Sequence, residues 1–95
     1  MHNQALRTVK IQVYAVSSRT QNERKYKHWV DLQEGGRRYW YDVPGRHGYW
    51  ARYIKVVDAA EVTMRFYQEI YDAQGKLIAI HEKYPVDTGH QPVEE

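Results

Sequence analysis

The chain has 95 residues, a mass of 11.4 kDa and a formal net charge of +2, which suits one domain and leaves no room for a second core. It has no cysteine, which excludes disulfides, thiolate metal sites and cysteine nucleophiles. No apolar run approaches the roughly 20 residues of a membrane span, and the N-terminus lacks the apolar stretch of a signal peptide. The sequence therefore predicts a soluble cytoplasmic domain with no membrane partner.

The charge is divided along the chain. Residues 1–57 carry eleven Lys and Arg against four acids, a net charge of +7, whereas residues 58–95 carry a net charge of −5. Two hypotheses follow, because the halves can neutralise each other or the basic half can attract a polyanion. The aromatic content is high at 14%, and nine of these residues are tyrosines.

Alternation of apolar and polar residues predicts the first strands. Residues 6–16 alternate with a period of two and predict a half-buried strand. Residues 17–24 have no apolar side chain and predict a loop. Residues 25–33 alternate again, the Gly-Gly pair after Glu34 predicts a hairpin turn, and residues 37–43 form the return strand.

The second half of the chain leaves one alternative open. Residues 44–48 predict an exposed loop, and residues 49–58 a fourth strand. Residues 58–72 fit a short helix capped by Asp58, but their β-branched and aromatic content favours a strand. Residues 77–84 predict the last strand, ended by Pro85, and residues 85–95 a C-terminal tail.

These elements predict an all-β domain with one antiparallel meander sheet of about six strands, twisted or barrel-like. The ordered core spans residues 6–84, with one short helix within 58–72 as the alternative to the fifth strand. Aliphatic side chains are few, so the aromatic rings must bury much of their area. That shortage suggests a homodimer as a hypothesis.

Interleaved cations and rings form the strongest candidate surface. Single-stranded nucleic acid is held by bases stacked on aromatic rings while cations contact phosphates. The predicted nucleic-acid-binding residues are Lys25, Lys27, Trp29, Arg38, Trp40, Arg46, His47, Trp50 and Arg52. Strand alternation permits the three tryptophans to share one face. The alternative interpretation is that the rings fill the core beneath the Arg and Lys side chains.

Histidines supply the remaining candidates. His47, in a glycine-flanked loop beside Arg46, could transfer protons in a metal-independent ribonuclease, with Tyr49, Glu69 and His81 as further groups. His81, Asp87 and His90 could ligate a metal, but their spacing matches no known metal motif, so no metal and no cofactor are predicted.

The leading hypothesis is a non-enzymatic module that binds single-stranded RNA or DNA. The first alternative is a protein-interaction or inhibitor module, antitoxin-like or phage-type, because Trp, Tyr and Arg also dominate protein interfaces. The second is a ribonuclease toxin centred on His47. The sequence carries no catalytic signature, which favours a binding role over an enzyme.

Overall fold

The computed structural model describes residues 18–93, and one antiparallel sheet dominates this part of the chain. Its strands are β1 (His28–Asp31), β2 (Arg37–Pro44), β3 (Trp50–Val57), β4 (Thr63–Tyr71), β5 (Leu77–Tyr84) and β6 (Gly89–Pro92). Each strand pairs with the next in chain order, which confirms the predicted meander. β1 and β6 form the two edges of the sheet, which is therefore not closed into a barrel.

The ends of the meander differ from the prediction. Residues 18–26 are helical, where a loop was predicted up to residue 24 and a strand from residue 25, so β1 begins only at His28. Residues 89–92, predicted as part of a tail, form β6 against β5. The strand predicted over residues 6–16 lies outside the described residues. The helix was missed because it buries only Asn22 and Tyr26, too few positions to produce an apolar stripe. In the described residues, no helix is long and apolar enough to cross a bilayer.

Residues 58–72 form a turn and then β4, so the strand prediction is confirmed and the helix alternative is wrong. Asp58 does accept hydrogen bonds from backbone N–H groups, as a helix cap would. These hydrogen bonds stabilise a turn instead. The N–H groups of Ala60 and Val62 donate to Asp58 Oδ1, at 2.9 and 3.0 Å.

Gly36, at the end of the β1–β2 turn, is required by a close backbone approach. A Cβ atom at this position would lie 2.8 Å from the carbonyl oxygen of Val57. The preceding residues Glu34 and Gly35 both have positive φ angles, 65° and 85°. The Gly-Gly pair therefore marks a turn, as predicted, and also lets this turn pack against the end of β3.

The pairing register divides the strand residues between two faces, since cross-strand partners share a face and neighbours along a strand alternate. We call one the helix face, because the helix packs on it through Tyr26. Its residues include Trp29, Arg37, Tyr39, Tyr41, Tyr53, Lys55, Val57, Phe66, Gln68, His81 and His90. The opposite face includes His28, Arg38, Trp40, Asp42, Trp50, Arg52, Ile54, Arg65, Tyr67, Glu69, Tyr71 and Glu82.

Tyrosine rings form the core beneath the helix. Tyr26 packs against Tyr39 and Tyr41 at centroid distances of 5.6 and 5.3 Å, and Val57 completes the fully buried cluster. Burial raises the pKa of Tyr26 to about 12, so its phenol remains neutral at physiological pH. The scarce aliphatic side chains are thus replaced by rings, as the composition predicts.

Glu61 joins the helix to the sheet. Its Oε2 accepts hydrogen bonds from the Asn22 amide and the Tyr39 hydroxyl, both at 2.9 Å. Its Oε1 lies 3.1 Å from Arg19 Nε, close enough for an ion pair but not aligned for a hydrogen bond. Because the side chain is 10% exposed, these partners replace the water that the carboxylate loses on burial.

We expect Glu61→Ala to lower the free energy of unfolding by about 2–3 kcal/mol, because it leaves the buried Asn22 and Tyr39 groups without a charged partner. Glu34→Ala is the matched control: Glu34 is exposed and has nearly the same φ, 65° against 64°. Urea denaturation of both variants measures the difference. Equal losses would show that backbone strain, not the Glu61 contacts, sets the effect.

Candidate nucleic-acid interface

Four of the predicted binding residues meet on the opposite face of β2 and β3. Trp40 lies between two guanidinium groups, with Arg38 at 5.4 Å and Arg52 at 5.8 Å from its ring centroid. Arg52 also lies 5.4 Å from the Trp50 ring. We call these four residues the platform. Strand alternation produces it, because Arg38, Trp40, Asp42 and Pro44 all point to one side of β2.

Further rings extend the platform along both neighbouring strands. The His28 ring of β1 stacks on Trp40 at 5.7 Å, with an interplanar angle of 18°. On the other side, Trp50 stacks on Tyr71 of β4 at 4.1 Å and 9°. The surface therefore carries two stacked ring pairs, and the Arg52 guanidinium lies near the tryptophan of each pair. All four platform side chains are partly exposed.

The two platform arginines differ in charge compensation. Arg52 forms a bidentate pair with Asp42, at 2.7 and 3.0 Å, which raises the pKa of its guanidinium and offsets its charge. Arg38 has no carboxylate partner among residues 18–93. The uncompensated positive charge of the platform therefore lies on Arg38.

Beyond the platform, Arg65 covers a ring and pairs with a carboxylate. Arg65 lies 3.7 Å from the Tyr67 ring centroid and forms an ion pair with Glu82. Ile54 is fully buried and lies between Trp40 and Tyr67 in the cross-strand register. Here the rings do pack beneath Arg side chains, as the alternative interpretation of the sequence proposed.

The other predicted binding residues lie elsewhere. Trp29 pairs with Tyr39 on the helix face, so the hypothesis that all three tryptophans share a face is wrong. Lys25 belongs to the helix, and Lys27, with φ of 67°, joins it to β1 beside Trp29 and Trp40. Arg46 and His47 occupy the exposed turn between β2 and β3.

The groups considered for a ribonuclease centred on His47 are not all brought together. Glu69 pairs with Ile80 on the opposite face, whereas His81 pairs with Gln68 on the helix face. Within residues 18–93, the His47 side chain has no hydrogen-bond partner. In the described residues, no carboxylate is therefore bonded to His47 to orient its ring.

His81, Asp87 and His90 do come together. His81 Nε2 lies 2.5 Å from Asp87 Oδ1, and the two imidazole rings are 4.6 Å apart. The Gly89 N–H and His81 lower the pKa of the Asp87 carboxyl. In the described residues no group of three such side chains has the geometry to hold a metal ion.

Sequence reasoning missed Gln68, which bonds to His90, because a single glutamine in a strand carries no signal.

The comparisons with known proteins add no functional assignment. No family model, no curated protein and no solved structure matches the chain. The function must therefore be argued from the geometry of these surfaces.

The Arg65–Glu82 pair makes stability depend on pH. Its hydrogen bond lowers the pKa of Glu82, so the pair stabilises the fold above the ordinary glutamate pKa and loses that contribution as the pH falls through the depressed value. Glu82→Gln should lower the free energy of unfolding by up to about 1 kcal/mol at pH 7. Urea denaturation at pH 7 and pH 3 should show the two proteins converging in acid. A gap that is unchanged at pH 3 would contradict this.

Proposed function

We propose that the protein is a small binding module whose platform holds single-stranded nucleic acid. The observation that carries this proposal is Trp40 flanked by Arg38 and Arg52, with parallel rings continuing on either side. Bases stack on aromatic rings and on guanidinium planes alike, and arginine also contacts phosphate. The platform presents both chemistries within reach of consecutive nucleotides.

The pattern of ion pairs supports a polyanionic partner. Arg37 pairs with Glu23 and Asp31, and Arg52 pairs with Asp42, so these contacts stay within the basic half of the chain. Arg19–Glu61 joins the two halves. Most acids of the second half therefore do not compensate Arg38, which keeps positive charge on the platform.

A protein partner is the second candidate, because exposed Trp and Arg also serve as interface anchors. Nucleic acid is favoured because guanidinium groups flank Trp40 and two stacked ring pairs lie on the same face, so bases and phosphates both find partners there. A homodimer remains a prediction that sedimentation at high concentration would test. Failure to bind any single strand at low salt would move the assignment to a protein partner.

Trp40→Ala should weaken binding of a fluorescein-labelled single-stranded RNA about 5- to 100-fold, the cost of one lost stacking contact. Arg38→Ala should weaken it and reduce the slope of log K against log salt by about 0.7, the value for one lost contact to a single strand. Fluorescence anisotropy at several salt concentrations measures both effects.

Arg24→Ala is the control for charge, since Arg24 is an exposed cation on the helix and away from the platform. It should change affinity less than Arg38→Ala does. Circular dichroism checks that Trp40→Ala remains folded. Equal effects of Arg24→Ala and Arg38→Ala would indicate a diffuse electrostatic attraction and no defined platform.

Asp42→Asn should increase affinity for the same RNA several-fold. Asp42 holds Arg52 in a bidentate pair, and its removal frees a second platform cation for phosphate. The same substitution at Asp31, which pairs with Arg37 on the helix face, should have a smaller effect. Weaker binding by Asp42→Asn would show that the pair is needed to orient Arg52.

A further inference from the structure

A second polar cluster lies on the helix face, on the other side of the sheet from the platform. It brings His81, Asp87 and His90 together with Gln68, which is 8% exposed. A buried amide is costly unless its hydrogen bonds are satisfied. Gln68 satisfies both of its groups, because its Nε2 donates to the Tyr53 hydroxyl at 3.0 Å and its Oε1 lies 3.1 Å from His90 Nε2.

This network selects the tautomer of His90. Since the Gln68 carbonyl oxygen can only accept, His90 Nε2 must carry the proton. In the neutral ring, Nδ1 then holds the free lone pair, as a general base requires. His90 is exposed, whereas the Nδ1 of His81 is buried without a hydrogen-bond partner, so His90 is the imidazole that a substrate can reach.

The other members of the cluster are held in place. Asp87 accepts from the Gly89 N–H at 3.0 Å and from His81, and Gln91 donates to the Thr88 carbonyl oxygen at 2.8 Å. These contacts fix the turn before β6 and set His81 against the His90 ring. A pre-organised set of partners around an exposed imidazole is typical of proton-transfer sites.

A cationic cleft lies on the same face, and its residues Phe66 and Tyr84 pair two positions along β4 from the Gln68–His81 pair. It has a volume of about 450 Å³, and its lining includes Lys25, Lys55, Tyr26, Phe66 and Tyr84. Burial lowers the pKa of Lys55, and the charge of Lys25 lowers it further, so an anion between the two ammonium groups would relieve their repulsion.

Tyr53 connects the cleft to the histidines. Its ring stacks on Phe66 at 6.4 Å, its hydroxyl accepts from Gln68, and Lys83 lies 5.4 Å from its centroid. Phe66 and Gln68 are two residues apart on one face of β4, or about 7 Å. Stacking surfaces, ammonium groups and an oriented imidazole thus lie side by side.

We propose that this site cleaves RNA phosphodiester bonds by general acid–base catalysis. His90 Nδ1 takes the proton of a ribose 2′-hydroxyl, whose oxygen attacks the adjacent phosphorus. The bond from phosphorus to the 5′-oxygen breaks, and the leaving oxygen takes the proton back from His90. The products are a 2′,3′-cyclic phosphate and a 5′-hydroxyl, so atoms and charge balance without a metal or co-reactant.

The cleft supplies what the reaction needs besides the proton carrier. Lys83, on β5 with His81, would hold the phosphate, and Phe66 or Tyr84 would stack a base. Gln68, His81 and Asp87 act as positioning residues for His90. The proposal does not rest on the platform, because the two sites lie on different faces of the sheet.

The test uses the full chain and a diribonucleoside monophosphate, which is too short to need the platform. Chromatography should show a 2′,3′-cyclic phosphate and a nucleoside, and the 2′-deoxy analogue should stay intact. His90→Ala should lower the cleavage rate at least about 100-fold, the usual contribution of a general base. His47→Ala, which removes an exposed histidine in the β2–β3 turn, should leave the rate unchanged.

The role of Gln68 has a separate readout. His90 contacts the His81 ring and Gln68 Oε1, and His81 in turn pairs with Asp87. Gln68→Glu keeps an oxygen acceptor against His90 Nε2 and should retain cleavage. Gln68→Leu removes that acceptor and should lower the rate, and nitrogen NMR should show a mixture of His90 tautomers.

Three outcomes would overturn the proposal: no cleavage by the folded wild-type chain, full activity in His90→Ala, or loss of activity in His47→Ala. Cleavage of the dinucleotide reports on the histidine site, and loss of affinity for longer RNA in Trp40→Ala reports on the platform. Failure of the platform and failure of the histidine site are therefore distinguishable.

Discussion

The structure depends on one constraint, which is that a single-layer sheet must protect both of its faces with little to cover them. In the described residues, one helix covers part of the helix face through Tyr26, and only five hydrophobic side chains are buried. Rings with cations above them replace a second layer. Arg65 covers Tyr67, and Arg38 and Arg52 flank Trp40, so each aliphatic stem and charged head keeps water from a ring.

That solution to the packing problem also determines what each face can bind. A guanidinium over a ring shields the ring, yet it stays hydrated and can move to a phosphate when a base takes its place. Where a carboxylate holds the guanidinium, as Glu82 holds Arg65, the positive charge is offset. Arg38 has no such partner in the described residues. The charge that remains on this face of the sheet is therefore set by the placement of a few acids.

The fold was predictable wherever strands alternate clearly and turns carry Gly, Pro or Asp, which includes β2 to β5 and their connections. The helix and β6 were not, because residues 18–26 bury too few apolar groups and β6 is a four-residue edge strand containing Gly and Pro. For the site, alternation predicted that Arg38 and Trp40 share a face of β2 and that Trp50 and Arg52 share a face of β3. The face of Trp29 depends on the β1–β2 register, which no local pattern encodes.

The histidine cluster likewise depends on strand pairing that no local sequence pattern encodes. Its members lie on β4, β5, the following turn and β6, and only the pairing of Gln68 with His81 and of His81 with His90 brings them together. The sequence identifies His81, Asp87 and His90 as candidates, but not Gln68, whose amide orients His90. Since Gln68 also bonds to Tyr53, one buried side chain links the aromatic core to the exposed imidazole. The packing of the sheet does not require this polar network, because apolar side chains in place of Gln68 and His81 would pack there without buried polar groups.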